Sequence, residues 1–140
     1  MTARLYVLDP DILSLIQRRQ QPYVQRLLAI PPEDRAITVV SIEEQFRGWL
    51  ALIRRAKSRS ALVYAYARLS EALMFLSQLN ILLFDDQAAE KLDDFQQQKI
   101  RIGTLDLRIA AIVLSVDGIL VTRNMTDFQQ VPGLTLEDWS

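Results

Sequence analysis

The sequence alternates short β-rich apolar runs with longer helical patterns, and this alternation restricts the chain to few folds. RLYVL (4–8), AITVV (36–40), ILLF (81–84) and ILVT (119–122) are continuous apolar runs rather than alternating ones, as expected for strands covered on both faces. Between them, apolar spacing predicts helices over 10–19, 22–29, 41–56, 58–79, 86–98 and 106–116. Strands separated by helices pair in parallel, because a parallel connection needs a crossover long enough to hold a helix. The expectation is an α/β fold, a central parallel sheet of four to five strands flanked by helices, with LTLEDW (134–139) as the candidate edge strand. Pro31-Pro32 stops the second helix, Gly118 ends the helix before ILVT, and Pro132-Gly133 turns the chain into its last strand. With no repeat or linker to divide it, the chain reads as one domain over residues 1–140.

In an open parallel sheet, ligands bind at the carboxyl ends of the strands. Four acids are expected there. Asp9 follows the first strand, Glu44 lies in the first turn of the helix after AITVV, Asp106 opens the helix after RIGTL, and Asp127 follows ILVTRNMT. Each has a purely structural alternative. Asp9 suits a helix N-cap with Pro10 at the first helical position. Ser41-Ile42-Glu43-Glu44 fits a capping box, Asp106 favours its helix dipole, and Asp127 suits an Asx turn. Four capping acids at one end of one sheet form a crowd, however, and crowded carboxylates do not all stay ionised unless a cation offsets their repulsion. Asp9 can serve as both cap and ligand, with Pro10 fixing the turn.

The chain has neither Cys nor His. Disulfides, zinc held by Cys or His, thiol nucleophiles and Ser-His-Asp triads are therefore excluded. Catalysis is left to carboxylates, hydroxyls, Arg, Lys or Tyr, and hard oxygen ligands point to Mg²⁺ or Mn²⁺. A carboxylate-bound divalent ion suits a nuclease or phosphatase, since it activates water and stabilises a leaving oxygen without a His base.

Sixteen basic and 17 acidic residues give a net charge of −1, so any nucleic-acid surface must be local. The segment 47–60 carries five basic residues and Trp49, making Arg47, Arg54 and Arg55 candidate contacts for nucleic-acid phosphates; the alternative is a solvated helix face. Apolar stripes (Ile42, Phe46, Trp49, Ile53 and Leu62, Tyr66, Leu69, Leu73) are expected to be mostly core, with a groove between them able to receive an apolar segment. No apolar run approaches the roughly 20 residues of a membrane helix, and MTARLYVLD lacks the series of a signal peptide, which gives a cytoplasmic expectation with no membrane partner.

LYVLDPDILSL, ITVVSIEEQFRGWL, IGTLDLRIAAIVLS and ILVTRNMTDFQQVPGLTLEDW, in that order, resemble the PIN-domain ribonucleases, specifically the VapC-type toxins of bacterial toxin–antitoxin modules. The resemblance covers nearly the whole chain and is weakest over 55–80. It implies a PIN-like three-layer fold and metal-dependent endoribonuclease activity, with Asp9, Glu44, Asp106 and Asp127 coordinating Mg²⁺ or Mn²⁺. Glu44 is preferred over Glu43 because Gly48 lies four residues on, as in the family's E-x-x-x-G helix. Thr122 and Asn124 match positions beside the site, and Asp11 retains an oxygen there. The resemblance also implies an RNA substrate, a cognate antitoxin and a homodimer.

One departure is Pro10, where the family usually has Thr or Ser. Hydroxyl and backbone donor are both lost at that position. The alternative to an active nuclease is thus a PIN-like RNA- or antitoxin-binding module with impaired catalysis. A more distant alternative, the haloacid-dehalogenase-like phosphatases, shares the D-x-D of LDPDIL. Those enzymes need a placed Lys, and Lys57, Lys91 and Lys99 all lie away from predicted strand ends.

Overall fold

The computed structural model describes residues 4–140. In chain order the elements are β1 (Tyr6–Leu8), α1 (Pro10–Gln17), α2 (Tyr23–Leu28), a 3₁₀ turn (Pro32–Asp34), β2 (Arg35–Thr38), α3 (Val39–Arg55), α4 (Arg59–Leu76) and β3 (Asn80–Leu82). They continue with α5 (Asp86–Gln97), α6 (Thr104–Ser115), β4 (Ile119–Val121), α7 (Met125–Phe128) and β5 (Thr135–Glu137). All five strands are parallel, in the order β3-β2-β1-β4-β5, and LTLEDW supplies the edge strand β5. Because β2 and β3 extend the sheet to one side of β1 while β4 and β5 extend it to the other, the order reverses between β1 and β4. In open α/β sheets, ligand crevices form at such a reversal, at the carboxyl ends of the strands.

Period-two alternation explains why the central strands are apolar throughout. Val7, Ala36 and Leu120 pack with Ala88 and Phe95 of α5 and Ile109–Val113 of α6. Their neighbours Leu8, Ile37 and Val121 pack on the other face with Ile12, Leu13 and Ile16 of α1, together with Tyr23, Leu76 and Trp139. The expectation of burial on both faces fails at β3, where Ile81 is 46% exposed, because this strand forms an edge and no helix covers it fully.

Three boundaries also differ from the sequence expectation, each for a local reason. The expected strand 36–40 stops at Thr38, whose hydroxyl accepts from the Ser41 amide (3.0 Å) and caps a helix that already includes Val39 and Val40. The capping box at Ser41 is therefore replaced by a Thr38 cap, and Glu44 sits in the second turn rather than the first. Asp117, not Gly118, takes the left-handed conformation after α6 (φ 53°). Gly118 is needed for space instead, since a Cβ there would meet Val7 Cγ2 at 3.2 Å and the Leu5 carbonyl at 3.4 Å. Finally, α2 ends at Leu28, before Pro31-Pro32, which opens the 3₁₀ turn.

The two long helices depart furthest from expectation. Of the stripe residues thought to be core, Leu62, Tyr66 and Leu73 are 42%, 53% and 46% exposed, and α3 buries only Val40 and Ser41. Among the described residues no helix is long and apolar enough to cross a membrane.

Candidate active site

Asp9 ends β1 at the crevice between β1 and β4. Its amide donates to the Val121 carbonyl (3.0 Å), an extension of the strand pairing, and its own carbonyl accepts from the Leu13 amide (3.0 Å) to start α1. The backbone thus makes Asp9 the N-cap residue, but its side chain caps nothing, contrary to the dual role expected from the sequence. The carboxylate turns to β4 instead: Oδ2 accepts from the Thr122 hydroxyl at 2.8 Å. Oδ1 is buried and has no hydrogen-bond partner. A fully paired cap has no such orphaned oxygen, and leaving a buried polar atom unmade is costly.

Thr122 is completely buried at the end of β4 and anchors the next loop as well, because its Oγ1 accepts from the Asn124 amide (2.9 Å). Asn124 in turn donates from Nδ2 to Asp127 Oδ2 (3.1 Å). The T-R-N segment therefore links Asp9 to Asp127 through two side chains, and Asp127 sits in the first turn of α7. Asp106 lies half-buried in the first turn of α6.

The acids feel one another. Burial, opposed by the Thr122 bond and reinforced by the charges of Asp11 and Asp106, pushes Asp9 up to about 8. Burial and the Asp106 carboxylate also raise Glu44, against the lowering influence of Arg47. Asp106 is raised by burial and then by Asp127 and Asp11.

Local contacts separate the two candidate glutamates. Glu43 is exposed and pairs with Arg47 one turn on (3.3 Å), whereas Glu44 is partly buried and couples to Asp106 and Asp11. Arg55 lines one cavity wall with Glu44, while Arg54 is simply exposed on α3. Arg123 was not foreseen as a site residue: its Nε donates to Asp11 Oδ2 at 3.3 Å, tying the acid to the rim of the crevice. Its signal was present in the T-R-N segment, but nothing local to that segment names Asp11 as its partner.

Pro10 has no amide to donate, but its carbonyl accepts from Ser14 Oγ (3.1 Å) and Gln45 Nε2 (3.4 Å), which ties the start of α1 to α3. As the side chains stand, no group of three or more acids among the described residues converges closely enough to hold an ion. The donor set nonetheless fits a hard divalent cation: all oxygen, electrostatically coupled, and including a buried carboxylate oxygen with no partner.

A parallel α/β domain with acids at the carboxyl end of its sheet is the arrangement expected from the sequence. No family model matches the chain. Among characterised proteins it is similar to the tRNA(fMet)-specific endonuclease VapC of Salmonella typhimurium, 35% identical over 69 residues that span 46% of this chain and 52% of that protein. It is also similar to ribonuclease VapC1 of Haemophilus influenzae, 26% identical over 97% of this chain and 98% of the relative. Of the solved structures, VapBC2 from Rickettsia felis bound to a promoter DNA fragment contains a chain that superposes with a TM-score of 0.76, at 24% identity, over 97% of this chain and 99% of that one. The resemblance to VapC-type PIN domains read from the motifs is thus met in both sequence and fold.

Proposed function

We propose that this protein is a Mg²⁺- or Mn²⁺-dependent endoribonuclease and the toxin of a toxin–antitoxin pair. The observation that carries the reading is Asp9, a buried carboxylate with one oxygen fixed by Thr122, the other without a partner, and further acids around it. The names of the VapC relatives supply the RNA substrate. Asp9, Glu44, Asp106 and Asp127 would hold the cation. Once bound, the ion would polarise a phosphoryl oxygen and lower the pKa of the attacking water.

The residues of the chain prepare that event in separate ways. To hold a cation Asp9 would have to be deprotonated, as any carboxylate ligand must be. Thr122 keeps the bound oxygen of Asp9 in place and Asn124 does the same for Asp127. Arg123 offsets the charge of Asp11, which otherwise adds to the repulsion within the cluster. The antitoxin belongs to the same reading, since the neighbouring structure is a VapBC complex and the α3–α4 face leaves Leu50, Val63 and Met74 exposed. A homodimer is proposed on the same grounds.

The test is cleavage of a mixed RNA pool by the purified protein with Mg²⁺, Mn²⁺ or EDTA. Metal-dependent cutting is expected, with a loss of at least about 100-fold in Asp9→Asn and Asp106→Asn. Both variants should stay folded, because Asn matches the carboxyl it replaces in size and keeps an oxygen that can accept a hydrogen bond. Parental activity in both would refute the assignment of the site. RNA binding without cutting under any metal would favour the impaired module that Pro10 raises.

A further inference from the structure

Beside the acid cluster, three cavities lie along α1, α3 and α4. The first, ≈ 290 Å³, is walled by Glu44, Gln45, Gly48 and Arg55 and shares Ser14 and Trp49 with a second of ≈ 590 Å³. The second adds Arg18, Arg19, Tyr64 and Arg68, and its far side opens on a third of ≈ 340 Å³ that shares Gln17, Arg19, Trp49 and Arg68. Trp49 lines all three. Through these shared residues the groove formed by the three cavities runs from a site carboxylate, past one aromatic ring, to three guanidinium groups.

Charge selects the occupant. Arg68 lies over the Trp49 ring at 6.0 Å and pairs with Glu71 at 3.0 Å, the only acid lining the two outer cavities. Among the described residues Arg18, Arg19 and Arg55 have no carboxylate within ion-pair distance. Arg19 also takes a left-handed turn (φ 58°) that Gly or Asn adopts more easily, so the end of α1 accepts strain at a residue whose side chain lines the groove. A groove with free guanidinium groups beside aromatic rings matches the way single strands are held, by backbone phosphates on cations and bases on rings.

We propose that this groove binds the single-stranded RNA flanking the cleavage point, with Trp49 and Tyr64 as platforms for bases and Arg18 and Arg19 as phosphate contacts. This rests on the nuclease reading and extends it, since the contacts foreseen from the sequence lay at Arg47, Arg54 and Arg55, of which only Arg55 reaches these cavities.

The experiment measures binding of a fluorescein-labelled single-stranded RNA of about ten nucleotides to the full chain carrying Asp9→Asn, which should not cut it. Trp49→Leu in that background is expected to weaken binding about tenfold, with Trp49→Phe restoring most of it. Arg18→Ala with Arg19→Asn is expected to lower the slope of log Kd against log salt by about 1.4, and Asn suits the turn at position 19. In otherwise parental protein the same changes should raise KM for cleavage and leave kcat near its parental value.

Folded variants with unchanged affinity, salt slope and KM would overturn the groove while cleavage by the parent stands. A parent that never cleaves, yet whose RNA binding falls in these variants, would support the groove and refute the nuclease reading. Absence of RNA binding in every form would overturn the groove and leave its Trp49 face to a protein segment.

Discussion

Helix α6 and the α3–α4 pair are built from similar apolar residues and meet opposite fates. Ile109–Val113 of α6 are fully buried, because the helix lies between the sheet and α5. In α3 only Val40 and Ser41 are buried, in α4 only Ala65, Ala72 and Leu76, and Val63 and Met74 stand 64% and 69% exposed. The difference teaches that helix composition does not decide what a helix covers. α6 completes a core, whereas the α3–α4 pair projects an apolar face that in isolation gains little from its own side chains.

The largest effect that can test this contrast is a cavity in α6. Ile112→Ala is expected to cost about 2–5 kcal/mol in denaturant unfolding, while Met74→Ser should stay within about 0.5 kcal/mol. An equal cost at both sites would break the comparison and show the α4 face to be covered in solution, by a second copy or a partner.

A second effect, on the order of a few kcal/mol, separates the acid site from the α3–α4 pair through pH. Asp9 is held at about 8 in the fold against 3.8 for an unperturbed Asp. Between those values the folded state keeps a proton that the unfolded chain releases, so stability is fully present below about pH 4 and declines as pH rises towards 8. Melting of the metal-free protein from pH 5 to 8 should show this fall, and Mg²⁺ or Mn²⁺ should reverse it at pH 8. Asp9→Asn should flatten the profile; a fall of the same size in that variant would place its source elsewhere.

The smallest effect sharpens the description of the crevice itself. Thr122→Val removes the donor that holds Asp9 down, so its pKa should climb further and the fall in stability should extend to higher pH, with a cost of about 1–3 kcal/mol. NMR titration of the Asp9 carboxyl reads the shift directly, and an unmoved value would show that the hydroxyl does not stabilise the charged form.

Much of the fold was legible because the strand signals are local. Val7-Leu8, Ala36-Ile37 and Leu120-Val121 are apolar in succession since each neighbour faces a different layer of helices. That pattern alone implied a parallel sheet and put Asp9, Asp106 and Asp127 near its carboxyl end. Boundaries were less legible: Val39 and Val40 look like strand, yet the Thr38 hydroxyl captures the Ser41 amide and begins the helix early. Glu43 and Glu44 differ by one step along a helix, and only the neighbours on each face tell an Arg47 ion pair from a place among the acids.

What the sequence by itself determined was periodicity, chemistry and end points: parallel strands between helices, acids following them, and no thiol or imidazole to carry another mechanism. What only the tertiary structure decided was who meets whom. Thr122 reaches Asp9 across 113 residues and Arg123 reaches Asp11 across 112, both because β1 pairs with β4 at the point where the strand order reverses. The same step left the α3–α4 face and its arginine-lined groove open. Local spacing sets which face a residue takes within its own element, but partners this distant in sequence are chosen by the register and burial of the whole sheet.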